Sequence, residues 1–274
     1  MKDLLKADFK RILKDKLLLV MGILAVVFAL ITPLLYALLF SGSGMENDPM
    51  LGTMLPAKAQ FFSSFSLGNN LGLIAPVLLA IALCKDFSFG TVRNKIIAGK
   101  SRQSIFLSLF ITCATVLIGV ILIHALITLG ISLIFFPYQA TPFVLSDLWY
   151  FLASLAFDIL MLLWAAALLA YLCANMKNVG LVIVLYIAIT FVLIIVGSIV
   201  SVVQSVLKAT GGNESVLQVL HFIDRINVAN SAAYIGMGKS YTLEDVLYLT
   251  IPALVGIFGF TGLGILRFGK KDLK

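Results

Sequence analysis

LLLVMGILAVVFALITPLLYALLF, residues Leu17–Phe40, runs for 24 residues without a charge. An α-helix rises ~1.5 Å per residue, so this run is long enough to cross the ~30 Å hydrocarbon core of a bilayer. A surface helix of a soluble domain would place polar residues on the face turned to water, and here there is no such face. Five further runs read the same way: Phe61–Cys84, Ser104–Phe136, Leu148–Met176, Val179–Leu207 and Val246–Leu266. The second begins with polar residues (Ser63, Ser64, Asn69, Asn70), and the fourth contains one charge, Asp158. Ser104–Phe136 exceeds one bilayer thickness and must tilt, kink or protrude. None of the runs alternates with period two, so they are helices and not barrel strands.

The rest of the chain agrees. Of 274 residues, 61% are hydrophobic and 12% charged, against roughly 45–50% and about 25% in soluble domains. Mean hydropathy is +1.09. This excludes a soluble enzyme, a disordered chain and a disulfide-stapled secreted domain. It predicts an all-α polytopic membrane protein, residues 1–274 forming one transmembrane domain of six helices. Cys84, Cys113 and Cys173 lie in or beside apolar runs without CxxC spacing and read as small apolar residues. The first run is too long for the core of a cleavable signal peptide and lacks a small-residue cleavage site after it.

Six spans put both termini on one side. Sixteen of the 20 Lys and Arg fall on that side: six before the first span, five in Lys85–Arg102, Lys177, and four after the sixth span. The other side holds Lys58, Lys208, Arg225 and Lys239. The positive-inside rule makes the basic side cytoplasmic, in a bacterial cell membrane. The net charge of +7 is thus accounted for by the membrane surface, and no nucleic-acid partner is expected.

Ahead of the first span, residues 1–16 are amphipathic. Leu4, Leu5, Phe9, Ile12 and Leu13 fall on one side of a helix, with Lys6, Lys10, Arg11 and Lys14 mostly on the other. This predicts an interfacial helix on the inner leaflet, in contact with membrane lipids. It reads either as a plain anchor or as a lever that also contacts a cytoplasmic partner.

The loop Lys85-Asp-Phe-Ser-Phe-Gly-Thr-Val-Arg-Asn-Lys-Ile-Ile-Ala-Gly-Lys-Ser-Arg102 has internal order. Ser88 or Thr91 can cap a short helix, Gly99 can end it, and Ser101 can cap the third span. Val92, Ile96 and Ile97 give it an apolar side. A short amphipathic helix there suits docking into a groove of a soluble protein; the plainer alternative is a solvated basic turn.

On the opposite side, Ser41–Gln60 looks irregular. Lys208–Asp245 is longer and carries a helical stripe at Val216, Leu217, Leu220, Ile223 and Ile226. Thr242 and Asp245 read as a capping box opening the sixth span. Ala233–Ser240 fits a relaxed phosphate-loop pattern, but it has no strand before it and lies on the outer face, so it is not expected to bind nucleotide. Asp158 and His124 are the titratable groups expected at depth, where a charge is costly unless paired, protonated or hydrated. Together with Asn69 and Asn70 they are the candidates for a translocation path. His221 reads as packing. Gly256, Gly259 and Gly262, and Gly197 with Ser201, permit close helix contacts.

Asp86, Gly90-Thr91, Arg93, Ile96-Ile97 and Ser101-Arg102 resemble the cytoplasmic signature of the ABC-2 transporter permease family, with Asp86 where Glu is commoner. The ending Arg267-Phe-Gly-Lys-Lys-Asp-Leu273 is similar to that family's usual C-terminus. The resemblance implies a membrane subunit of an ATP-driven exporter. Two six-span permeases would pair, a second copy of this chain being preferred to a related partner, and two copies of a separate ATPase subunit would bind ATP and Mg. No cofactor, metal or catalytic residue is implied in this chain. The coupling loop would comprise Asp86, Gly90, Thr91, Arg93, Asn94, Ile96, Ile97, Gly99 and Arg102. The interfacial helix would contribute Leu5, Phe9, Ile12 and Leu13. The segment between the fifth and sixth spans would form short re-entrant helices. The mostly apolar interior suggests an amphipathic or hydrophobic cargo, with peptides preferred. The competing readings are an ion-coupled transporter or channel without an ATPase and, behind it, an intramembrane enzyme.

Overall fold

In the computed structural model the described residues are 1–40, 56–139, 142–176, 178–211, 213–231, 234–236 and 240–270. Eleven α-helices are formed among them, with no strand. They are α1 (Lys2–Leu13), α2 (Lys16–Phe40), α3 (Ala57–Ser63), α4 (Asn70–Ser88), α5 (Thr91–Ile97) and α6 (Arg102–Phe135), followed by α7 (Leu145–Asn175), α8 (Val179–Thr210), α9 (Glu214–Ile226), α10 (Val228–Ser231) and α11 (Leu243–Lys270). Six of them, α2, α4, α6, α7, α8 and α11, are long and apolar enough to cross a membrane.

Local chemistry sets the helix starts. Ser101 Oγ accepts the Ser104 amide at 3.2 Å and opens α6. Asn178 and Asn213 do the same for α8 and α9. Thr242 and Asp245 form the expected reciprocal pair at α11, with each side chain accepting the other's amide. Such caps satisfy amides that have no partner within the helix.

α4, α6 and α7 form the centre of the bundle. α2 packs on α6 and α4, α8 on α4 and α7, and α11 on α7 and α6. The outer three helices leave long rows of apolar side chains uncovered, including Ile23 and Leu38 of α2, Val184 and Ile199 of α8, and Val255 and Phe258 of α11. An uncovered apolar belt on that scale belongs in lipid. Two glycines allow α11 to close on its neighbours. A Cβ at Gly256 would sit 2.1 Å from Trp164 Nε1, and one at Gly264 would sit 2.2 Å from the Phe106 ring. A Cβ at Gly259 or Gly262 would meet nothing within 4 Å, so these two are not contact points within the chain. Ser201 is exposed. Cys84, Cys113 and Cys173 are buried and form no disulfide among the described residues.

The expected second span, Phe61–Cys84, divides into two elements. α3 ends at Ser63 and the transmembrane helix starts only at Asn70. Ser63 and Ser64 hydroxyls donate to the Gln60 carbonyl at 2.9 Å, and Asn69 Oδ1 accepts the Asn70 amide at 2.7 Å. Side chains that bond their own backbone compete with helix continuation. At Gly72 a Cβ would lie 2.1 Å from the Ser66 carbonyl oxygen, so the fold-back requires glycine there. α3 is tied to the far end of α6 by Ala57 N–H to the Pro137 carbonyl at 3.0 Å and by Ser132 Oγ to Gln60 Oε1 at 2.8 Å. Phe61, Phe62 and Phe65 pack with Phe151 of α7. The expected irregular segment Ser41–Gln60 lies mostly outside the described residues, as does the end of the C-terminal Arg267–Leu273 motif.

Candidate functional site

Helix α1, the α4–α6 connection and the end of α11 meet at one end of the bundle, here called the terminal end. α5 begins with Gly90, whose φ of +69° is left-handed. Gly90 rather than Ser88 or Thr91 is the N-cap; Thr91 is already the first helical residue, and no side chain caps the helix. The helix closes as expected at Gly99, with φ of +78°. Gly99 N–H donates to the Ile96 carbonyl and Lys100 N–H to the Lys95 carbonyl, the paired bonds of a Schellman ending.

One side of α5 is anchored by buried charges. Lys95 Nζ lies 2.5 Å from Asp8 Oδ1 and 3.5 Å from Asp86 Oδ2. Arg11 Nη1 lies 2.8 Å from Asp86 Oδ1 and donates to the Ala82 carbonyl at 3.3 Å. Ser108 Oγ of α6 donates to Asp8 Oδ2 at 2.6 Å. Two carboxylates and two cations therefore join α1, α4, α5 and α6, which is the arrangement that lets charges be buried at all. Beside them Lys85 Nζ contacts both oxygens of Asp15, at 2.8 and 2.9 Å. Burial pushes the Asp15 carboxyl up, but the Lys85 hydrogen bond, the Leu17 amide and nearby positive charge outweigh it, so its pKa is lowered.

The other side of α5 faces out. Phe89 is 78% exposed and Ile97 73%, and Arg93, Asn94 and Gly99 are exposed with them. The expected coupling residues thus separate. Arg93, Asn94, Ile97 and Gly99 form an outward face, whereas Asp86 is buried and Ile96 packs against the core. Arg102 turns inward and donates to the Gly269 carbonyl at 3.0 Å, at the end of α11 where carbonyls favour a cation.

The α1 face differs from the expected one. Its buried positions are Leu4, Asp8 and Ile12, while Leu5 and Phe9 are half-buried and Leu13 is 68% exposed. The helix packs on α6. Arg11, expected on the solvated side, is the partner of Asp86. Asp8 and Asp15 escaped the sequence reading. Asp8 had a signal: it stands four residues from both Leu4 and Ile12, an acid within the apolar stripe.

The path candidates do not converge. Asp158 and His124 are both buried, and Asp158 Oδ2 and His124 Nδ1 have no hydrogen-bond partner among the described residues. No ion pair among the described residues joins them. Asn70 is exposed and Asn69 half-exposed at the α3–α4 bend, where they shape the backbone.

At the opposite end, α9 and α10 fasten onto α8. Asp224 is buried and accepts from Asn230 and Tyr234, and Arg225 pairs with Asp245. Asn227 donates to the Leu193 carbonyl at 2.7 Å. Burial, then the bond to Asp224, pushes the Tyr234 hydroxyl up to about 12. The expected stripe of α9 is divided: Leu217 and Leu220 are partly covered, whereas Val216 and Ile226 are exposed. Of the phosphate-loop-like stretch Ala233–Ser240, residues 233 and 237–239 lie outside the described residues. Gly236 is left-handed, and a Cβ there would strike the Phe62 ring at 2.3 Å. Among the described residues no three His, Cys, Asp or Glu are grouped as a metal site needs.

These features define an all-α, multi-pass membrane protein with a charge-pinned helix at its terminal end. The chain belongs to the family DUF2705, described as a protein of unknown function, whose family model matches residues 17–274. No curated protein matches it.

Proposed function

We propose that this chain is the permease subunit of an ATP-driven exporter of the ABC-2 type. One observation carries the reading: α5 presents Arg93, Asn94 and Ile97 outward, with Phe89 exposed in the turn before it, while Lys95 pins its other side to Asp8 and Asp86. A helix held this way can receive a push from a soluble partner and pass it to α1, α4 and α6 without bending. In this reading the terminal end is cytoplasmic, in a bacterial cell membrane, and α5 seats in a groove of a separate ATPase subunit. That subunit binds ATP and Mg; nothing in this chain is catalytic. Two permeases, preferably two copies of this chain, enclose the path, and two ATPase subunits close on ATP. Differential binding of ATP to the closed ATPase pair supplies the energy. α9 and α10 are the outer re-entrant helices, and the cargo is an amphipathic or hydrophobic peptide.

Asp158 and His124 favour a second reading, an ion-coupled transporter or channel. Unpaired polar groups buried at membrane depth are commonly part of an ion path.

A mild-detergent pull-down of the tagged chain from its native cells separates the two. Recovery of a soluble ATPase with the wild-type chain, lost on Gly90→Asp with Arg93→Glu, supports the exporter. An intact, monodisperse chain that recovers no ATPase sinks the coupling assignment and leaves the ion-coupled reading.

A further inference from the structure

A cleft of about 430 Å³ opens between the end of α8, α9 and the start of α11. Lys208, Glu214, Gln218, Glu244, Phe222 and Tyr248 are among its lining residues. We propose that it binds the headgroup of a zwitterionic phospholipid that carries a primary ammonium. The inference needs only that α8 and α11 cross a membrane, and it stands apart from the exporter reading.

Depth is the first argument. α8 has 32 residues, so it is ~48 Å long at ~1.5 Å per residue, well beyond the ~30 Å hydrocarbon core. Its last turn carries Lys208, a charge that the hydrocarbon core disfavours, which puts that end in the headgroup layer. Leu247 and Ile251 of α11 are exposed and follow the cleft-lining Glu244 and Tyr248 toward the middle of the bundle. They offer a wall for acyl chains. Tyr248, whose ring lies 6.1 Å from that of Phe222, has the amphipathic side chain typical of a membrane interface.

Charge is the second argument. The ion pairs of the described residues all join other side chains, leaving Lys208, Glu214 and Glu244 available at the cleft. The lining holds one lysine, two carboxylates and His221, a set that matches a phosphate linked to an ammonium. The phosphate takes Lys208, and the ammonium donates to Glu214, Glu244 and the Gln218 amide oxygen. A choline headgroup has no N–H to donate. An anionic headgroup without an ammonium meets two carboxylates for one cation.

The test reconstitutes the full chain in nanodiscs of phosphatidylethanolamine, phosphatidylcholine and phosphatidylglycerol and counts retained lipid by native mass spectrometry. Phosphatidylethanolamine is expected to be retained about fivefold over the others, and Glu214→Gln with Glu244→Gln should abolish the preference. Gln218→Leu, a single uncharged change, provides a second variant should the double variant fail to stay monodisperse, and should weaken retention. Equal retention of the three lipids, or a preference that survives both variants, overturns the proposal. So does equal occupancy by soluble glycerophosphoethanolamine, which would make the ligand a free phosphoester. Protection of a Gln218→Cys thiol from maleimide by a cationic amphipathic peptide, and not by phosphatidylethanolamine, would reassign the cleft to peptide and overturn it too.

Discussion

Lys95 of α5 reaches Asp8 of α1 with Nζ 2.5 Å from Oδ1, 87 residues apart in sequence, and both side chains are largely buried. The same ammonium lies 3.5 Å from Asp86. One cation thus holds the short α5 against the N-terminal helix and the end of α4.

Lys95→Met should destabilise this end severely, because removing one member of a buried pair costs about 3–5 kcal/mol. Thermal melting in detergent should fall, and residues 1–16 should become protease-sensitive before the bundle unfolds. Adding Asp8→Asn should cost less than the sum of the single changes, since the two act on one interaction. Additive losses would mean that the pair does not act as a unit.

Asp15 supplies a pH dependence with a defined sign. Its pKa is lowered in the fold, so its contribution is present above the ordinary carboxylate value near 3.8 and is lost as pH falls through the folded value. The difference in melting temperature between wild type and Asp15→Asn should be constant from pH 7 to pH 5. It should shrink only below about pH 4. A difference that vanishes already at pH 6 would contradict the Lys85 pairing.

The glycines of α11 should sort by face. Gly256→Ala and Gly264→Ala place a Cβ against Trp164 and Phe106, and overpacking of this kind costs about 1–3 kcal/mol. Gly259→Ala and Gly262→Ala meet nothing within 4 Å and should leave melting unchanged or slightly raised. Equal losses at all four positions would refute the assigned packing face.

Ile97→Asp tests the outward face of α5. With Ile97 73% exposed, the change should alter stability by less than about 0.5 kcal/mol. On the exporter reading it should nevertheless abolish recovery of an ATPase in the pull-down. Full recovery with Ile97→Asp would remove α5 from the docking surface.

The transmembrane architecture was legible from residue type alone. Uncharged runs such as Leu17–Phe40 and Val179–Leu207 can be satisfied only by lipid, and in lipid the backbone must bond within its own helix. Caps at Ser101 and Thr242 and the closing glycine Gly99 were legible for a similar reason: each acts within a few residues of itself. The break before α4 was only half legible: the polar start at Ser63, Ser64, Asn69 and Asn70 was visible, but the fold-back it makes was not. It depends on Ser63, Ser64 and Asn69 turning back on their own backbone and on Gly72 admitting the Ser66 carbonyl.

The site divides along the same line. The helical pattern of the loop marked Val92, Ile96 and Ile97 as one apolar side, and only the family resemblance named Arg93 and Asn94; the fold buries Val92 and turns Ile97 outward. Which face is turned outward was decided by Asp8, Asp86 and Arg11, which arrive from α1 and α4. Opposite charges far apart in sequence carry no mark of partnership until folding brings them within a few ångströms. Burial then leaves pairing as their only stable state.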